Sequence, residues 1–463
     1  MFCATIMNFL ALLEPLAAEG GALGARLPLL AVAPFALLLL CIAILPLLTP
    51  HWWHSNTNRA LVAALLSVPF AAWLYLTEGA ASLPAFEHAA LDYVSFIVLL
   101  AALYIVSGGI FVRGSLNGTP LSNTTLLLIG AVLANLIGTT GASMVLIRPL
   151  IRANQSRTDK VHTIIFFIFI VSNCGGLLTP FADPPLYLGF LKGVPFTWTL
   201  QLWPEWLIVN GALLFTYFGL DSYRIDREEK ARPGSQLEDA MKHEPIGLDG
   251  SHNVIFLLAI VGIILAKGTG LGSGGQEWKF GVQEGLMALV ALLSYATTKR
   301  AVHAKNSFSF VPINEVAILF AGIFITMIAP LAILNSRGAE LGLVHPWQYF
   351  WATGGLSGFL DNAPTYLTFA AVACGQAGIS VEGSRYLAEY LAAVPSDALI
   401  LKAISCGAVM MGAMTYIGNG PNFMVKAIAE ENGIKMPSFF GYMGWSIMLL
   451  IPCMLIITFV FFR

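Results

Sequence analysis

Two carboxylates lie in stretches otherwise apolar enough to cross a bilayer: Asp183 in SNCGGLLTPFADPPLYLGFLK (172–192) and Asp361 in LDNAPT (360–365). An ionised carboxylate at the bilayer centre costs at least ~2.5 kcal/mol, so it marks an ion or proton path or else caps a broken helix end through backbone amides. Thr-Pro at 179–180 and Pro-Pro at 184–185 remove backbone donors and bias the preceding residues away from helix. The crossing around Asp183 is therefore expected to be broken, with its freed backbone buried in protein or lining a polar cavity.

Two more stretches share this character, GTTGAS (138–143) and TYIGNGPN (415–422). All four are expected to meet near the membrane midplane. Small residues let backbones approach closely, helix N-termini suit an anion, and freed carbonyls with Asp183 suit a cation. The candidate ion- or substrate-binding set is Thr139, Thr140, Asn173, Thr179, Asp183, Asp361, Asn362, Thr365, Thr415, Asn419 and Asn422, with Asp183 and Asp361 as candidate Na+ ligands. Competing uses are ordinary: threonine in membrane helices often bonds back to its own backbone, and an asparagine such as Asn135 often glues helices together. Arg148 and Lys192 read as side chains snorkelling to the interface, and Glu430 and Glu431 as solvated. None of the eight histidines falls in the middle of a span, which argues against a histidine proton relay.

The elements that must position these residues are membrane spans. The chain has 463 residues, 57% hydrophobic and 11% charged, against roughly a quarter charged in soluble domains. Runs long enough for a ~30 Å hydrocarbon core recur along it and leave no room for a soluble domain. Spans are predicted near 27–49, 60–77, 91–112, 123–151, 161–191 and 203–223, then near 253–267, 282–298, 314–334, 347–373, 398–428 and 439–462. Residues 1–26 form an N-terminal segment whose run is interrupted by Glu14 and Pro15 and lacks the basic start of a secretory signal; short helix, surface segment and leader all remain open. Residues 224–251 read as a charged cytoplasmic connector between halves 27–223 and 252–463.

Each half reads as three spans, an interrupted segment and two further spans. GIF recurs at 109–111 and 322–324, and TPFADPP aligns with TYIGNGP, pairing Asp183 with Asn419 and Pro185 with Pro421. If the interrupted segments are re-entrant hairpins, each half crosses five times and the halves lie inverted. One side then collects 16 of the 24 Lys and Arg, including Arg113, Arg148–Lys160 and Lys299–Lys305, and is cytoplasmic by the positive-inside rule. The expected fold is an all-α polytopic membrane protein of two inverted-topology repeats of five transmembrane helices, each with a re-entrant hairpin and a broken helix.

Enzyme classes find little support. GAS at 141–143 lacks a histidine base in any span, and neither membrane aspartate has a Gly-x-Gly-Asp context. No HExxH, P-loop or dinucleotide fingerprint occurs, the six cysteines form no CxxC, and no basic run points to nucleic acid. No cofactor is expected; the partners are Na+ and H+ as transported or coupling ions, a small inorganic cation or organic anion as solute, the lipid bilayer, and a second copy of the chain as a homodimer.

SNCGGLLTPFADPP and LDNAP resemble the ion transporter superfamily, which includes NhaD-type sodium/proton antiporters, ArsB arsenite transporters, citrate transporters of the CitMHS type and sodium/dicarboxylate symporters. The resemblance covers nearly the whole chain from Leu27 and implies two inverted repeats in a bacterial-type inner (cell) membrane. It implies contacts at Thr139, Thr140, Thr179, Asp183, Asp361, Asn362, Thr415, Asn419 and Asn422. The sequence departs from the superfamily in having Ala182 where glycine is usual, and its GTTGAS tip matches neither the dicarboxylate nor the antiporter branch. Alternating-access secondary transport is expected. Sodium/proton antiport is favoured, because two carboxylates could bind Na+ or protons in turn and no arginine clearly reaches the site. Na+- or H+-coupled symport of citrate or another organic anion is the alternative.

Overall fold

The computed structural model describes residues 23–53, 55–114, 117–231, 247–269, 271, 278–306, 308–394 and 398–463. Most of the N-terminal segment and residues 232–246 of the connector lie outside these. The first half runs α1 (Ala33–Leu48), α2 (Asn56–Glu78), α3 (Leu83–Gly108), β1 (Phe111–Arg113), α4 (Pro120–Ala153), α5 (Val161–Phe169), α6 (Pro184–Leu191) and α7 (Trp203–Ala231). After β2 (Gly247–Asp249) come α8 (Asn253–Thr269), α9 (Val282–Thr297), α10 (Val311–Thr326), α11 (Ile328–Arg337), α12 (Pro346–Ser357), α13 (Asn362–Gln376), α14 (Ala398–Met411), α15 (Gly420–Glu431) and α16 (Phe439–Phe461).

As one straight helix, the 34 residues of α4 would reach ~50 Å. Instead its two ends meet: Asn123 Nδ2 donates to Asn154 Oδ1 and Asn154 Nδ2 to Asn123 Oδ1, both at 2.8 Å. The chain doubles back at Gly138, whose φ of 77° and ψ of 155° lie in a region open essentially to glycine alone. Thus α4 is a helical hairpin. A second one is made by α12 and α13, with Tyr349 Oη donating to Gln376 Oε1 at 2.6 Å near its base and Asp361 capping the returning arm.

Between each hairpin and the last helix of its half lies a broken helix. α5 ends in a π turn at Ile170–Cys174, followed by irregular chain to Asp183 and then α6; α14 likewise gives way at Gly412–Met414 to irregular chain before Asn419 and α15. From Ile164 on, α5 is apolar on every side, and its residues Ile164–Phe169 are enclosed within the largest core cluster. The freed carbonyls are capped from the side: Asn210 Nδ2 donates to Cys174 O at 3.0 Å, Trp206 Nε1 to Gly175 O at 2.8 Å, and Tyr442 Oη to Ala413 O at 3.0 Å.

Several details differ from the sequence expectation. The span expected near 314–334 bends by 41° between α10 and α11, where Pro330 in the first turn of α11 cannot supply the backbone N–H that a continuous helix would need. An antiparallel ribbon pairs β1 with β2, so the chain is not purely helical. The first GIF lies past the end of α3 and runs into β1, while the second is inside α10, so these two do not occupy equivalent places. α7 continues through residues 224–231, which were expected to belong to the connector.

Basic residues gather at one end of the bundle. Arg152 donates to Val112 O at 2.6 Å beside Arg113, Lys160 donates to Asn154 O at 3.2 Å, and Lys305 pairs with Asp249 at 2.9 Å. The Lys305 hydrogen bond holds the Asp249 carboxyl below its usual range. Outward faces are apolar, as with Leu65, Leu76, Phe215 and Val132, while asparagines 123, 135, 173, 210, 253, 362, 419 and 422 are buried. Among the described residues four helices are long and apolar enough to cross a membrane, or five if the bent α10–α11 pair counts as one. The hairpin α4 is among the four by length and composition, although it doubles back at Gly138. An apolar exterior around buried amides is the pattern of an integral membrane protein.

Candidate functional site

Asp183 is the N-cap residue of α6, with Pro184 and Pro185 in the first turn, where a missing N–H costs nothing. Its side chain makes no cap bond and turns into the protein, where it is 1% exposed. Each of the other three polar stretches sends it one donor. Thr139 Oγ1 donates to Oδ1 at 2.8 Å, Asn419 Nδ2 to Oδ1 at 3.0 Å, and Asn362 Nδ2 to Oδ2 at 2.5 Å. Thr139 is also held through its backbone, its N–H donating to Ala182 O at 2.7 Å. All three donors are neutral.

A second layer holds these donors. Asn419 Nδ2 also reaches Asn173 Oδ1 and Ser172 O, each at 3.2 Å. Asn173 Nδ2 donates to Asn422 Oδ1 at 2.7 Å, and Asn422 Nδ2 donates to Gly412 O and Thr415 O at 2.9 Å. Thr179 and Thr415 do not touch Asp183. Thr179 Oγ1 donates to Asn135 O at 2.7 Å and Thr415 Oγ1 to Gly358 O at 2.6 Å, so each ties its broken helix to the tip of its own hairpin. Asp361 caps α13, accepting from Ala363 N at 3.0 Å, and Thr365 Oγ1 bonds back to Asp361 O at 2.8 Å. Asn135 joins α4 to the broken helix through Gly175 O at 2.7 Å and Leu178 N at 2.7 Å.

Two features suit a monovalent cation. Asp183 brings the negative charge, and the buried Oδ1 of Asn362, beside it, has no hydrogen-bond partner. Among the described residues no three His, Cys, Asp or Glu side chains gather into a metal cage. Thr140 lies apart from Asp183, half-buried in a cleft of about 530 Å³, open mouth included, between the α4 tip, α3 and α10. Gly138, Thr139, Gly141, Ala182, Tyr104 and Pro312 also line it.

The sequence reading misplaced Lys192. It is buried and paired with Asp92 of α3, with its ammonium 5.8 Å from the Tyr386 ring, because a counter-ion inside the protein removes the need to reach the interface. A second buried polar cluster was missed. Asp221 and His162, both 0% exposed at the side chain, meet at 2.7 Å, Arg157 reaches Asp221 at 2.7 Å, and Tyr217 Oη donates to Asp221 Oδ2 at 3.1 Å. Asn123 Nδ2 joins at 3.3 Å, so the cluster fastens the base of the α4 hairpin to α5 and α7. Asp221 reads in the sequence as the polar end of a span; the extension of α7 to Ala231 puts it inside the helix instead.

No curated protein matches the chain. A family model described as "Putative citrate transport" matches residues 24–462, nearly the whole length and every element of the site. The chain belongs to that transporter family, in keeping with its resemblance to the ion and citrate transporter superfamily.

Proposed function

We propose that the chain is a secondary active transporter that moves citrate or a related organic anion by alternating access, with Na+ or H+ at Asp183 as the coupling ion. The observation that carries this reading is the convergence of all four polar stretches on one buried carboxylate served by neutral donors. An anion so placed draws a cation or a proton. Neutralising it weakens bonds that hold both hairpins and both broken helices together, which links ion binding to their movement. The cleft beside it offers an anionic solute the hydroxyl of Thr140, close backbone at Gly138 and Gly141, and the N-terminal end of the returning α4 arm. The family description supports citrate as the representative solute.

In this reading the two hairpins enter from opposite faces of the membrane, each half crosses five times, and the halves lie inverted. The end carrying Arg113, Arg152, Lys160 and Lys305 is cytoplasmic by the positive-inside rule. Tyr104 and Pro312 of the cleft lie towards that end, Tyr104 Oη donating to Ser309 O at 2.9 Å, which on this reading puts the cleft on the cytoplasmic side of the site.

Sodium/proton antiport is a second reading, favoured by a second membrane carboxylate, Asp361, next to the Asn362 that donates to Asp183, since two carboxylates could take Na+ and protons in turn. Proteoliposomes separate the two. Citrate uptake that requires Na+ or a pH gradient supports symport, whereas Na+-driven dissipation of a pH gradient without any organic acid, and no citrate uptake, replaces it with exchange.

A further inference from the structure

α3 and the returning arm of α4 meet along a strip that leaves two buried donors without partners. Ser107 of α3 is 1% exposed and its Oγ has no hydrogen-bond partner. Arg148 of α4 lacks a hydrogen-bond or ion-pair partner among the described residues, and its Nη1 is shut off from solvent. Both belong to one interface. A Cβ on Gly141 would stand 2.7 Å from Ser107 Oγ, and Arg148 follows Gly141 by two helical turns on the same face. Tyr104, one turn before Ser107, lines the cleft and lies within electrostatic reach of Arg148. Helical side chains lean towards the N-terminus, so the guanidinium reaches back along the strip towards Gly141 and the cleft. Glu431 is the strongest charge acting on Arg148, ahead of Tyr104, but forms no ion pair with it.

A buried guanidinium nitrogen without an acceptor is costly, and the unpartnered Ser107 hydroxyl on the same α3–α4 strip repeats the deficit. One carboxylate would satisfy both: guanidinium and hydroxyl are donors, and a carboxylate accepts at two oxygens. We propose that Ser107 and Arg148 form a carboxylate-binding subsite for the transported anion, between the cleft and the base of the α4 hairpin. The subsite rests on the organic-anion reading above and gives it a substrate class, the di- and tricarboxylates. One carboxylate held here leaves another for the Thr140 hydroxyl and the backbone amides of Thr140 and Gly141, an arrangement that a monocarboxylate cannot complete.

The test uses the full chain in proteoliposomes with radiolabelled citrate as the probe, and with succinate and a monocarboxylate as competitors. Arg148→Gln is expected to raise the citrate KM about tenfold or more, the loss typical of a hydrogen bond to a charged group, and to leave Na+- or pH-dependent thermal stabilisation unchanged. Arg148→Lys should recover part of the affinity, and Ser107→Ala should raise KM by a smaller factor. Wild-type KM in a folded Arg148→Gln protein overturns the subsite while wild-type citrate uptake keeps the transport reading intact. If Arg148→Gln does not fold, the other two variants decide: raised KM in both supports the subsite, and wild-type KM in both overturns it. Absence of organic-anion uptake by the wild-type protein, with Na+ exchanged for H+, overturns both readings together.

Discussion

Asp183 and Asn419 begin α6 and α15 from nearly the same backbone conformation, φ −145° and ψ 146° against φ −153° and ψ 142°. Each stands ahead of a proline in the first turn, and four residues before each a threonine ties the broken helix to its own hairpin. The frame is therefore present twice and the charge once. In the first half the capping position carries a carboxylate that receives three donors; in the second it carries an amide that supplies one of them. The pocket so built has room for one anionic charge, because the group facing it can donate and does not repel.

Exchanging the two side chains gives the most forceful break of that comparison. Asp183→Asn removes the charge, and coupled transport should fall at least ~100-fold, as expected when a buried functional charge is lost, while Na+ ceases to shift the thermal unfolding of the purified protein. Asn419→Asp sets a second carboxylate against the first and should destabilise the protein by ~3 kcal/mol or more at neutral pH, with recovery in Na+ or on acidification. The double exchange restores a single charge and should regain stability. Sodium-dependent uptake at the wild-type rate in Asp183→Asn would detach Asp183 from coupling altogether.

A smaller effect examines the likeness rather than the difference. Thr179→Val and Thr415→Val each remove one hydroxyl from a carbonyl at a hairpin tip, keeping the volume. Each should cost at least ~1 kcal/mol, Thr415→Val the more because Thr415 Oγ1 also accepts from Ile417 N and Gly418 N at 3.2 Å, and thermal unfolding in detergent should show a lowered transition for both. A cost confined to one of them would mean that only one half depends on this tie.

Much of this was legible from the residues alone. Prolines, glycines and carboxylates in apolar runs have few physical uses, so the broken helices, the interrupted segments and the set around Asp183 could be read from type and spacing. Partner choice could not. Thr139 and Thr140 are adjacent and alike, yet only Thr139 faces Asp183, because the positive φ of Gly138 fixes which residue of the returning arm points across. Lys192 and Arg148 each follow a polar stretch, and only Asp92, distant in sequence, distinguishes a paired ammonium from an unpaired guanidinium. The His162–Asp221 cluster depends on contacts between α5 and α7 that no local pattern encodes.

The hairpin tips supply the finest distinction. Gly138 turns the first through a backbone that a side chain would strain, whereas the second turns at Asp361 with φ −58° and ψ 134°, ordinary for an N-cap residue whose carboxylate accepts from Ala363 N. That bond accounts for Asp361 without any ion, and yet Asp361 adjoins Asn362, whose amide donates to Asp183. Paired substitutions separate these roles, because asparagine keeps the cap and loses the charge while alanine loses both. Asp361→Ala should cost ~1 kcal/mol of stability, and Asp361→Asn only a few tenths. If Asp361 serves solely as a cap, uptake in Asp361→Asn should follow the wild-type Na+ and pH dependence. A changed dependence at unchanged stability would make Asp361 the second ion-handling carboxylate that the antiport reading requires.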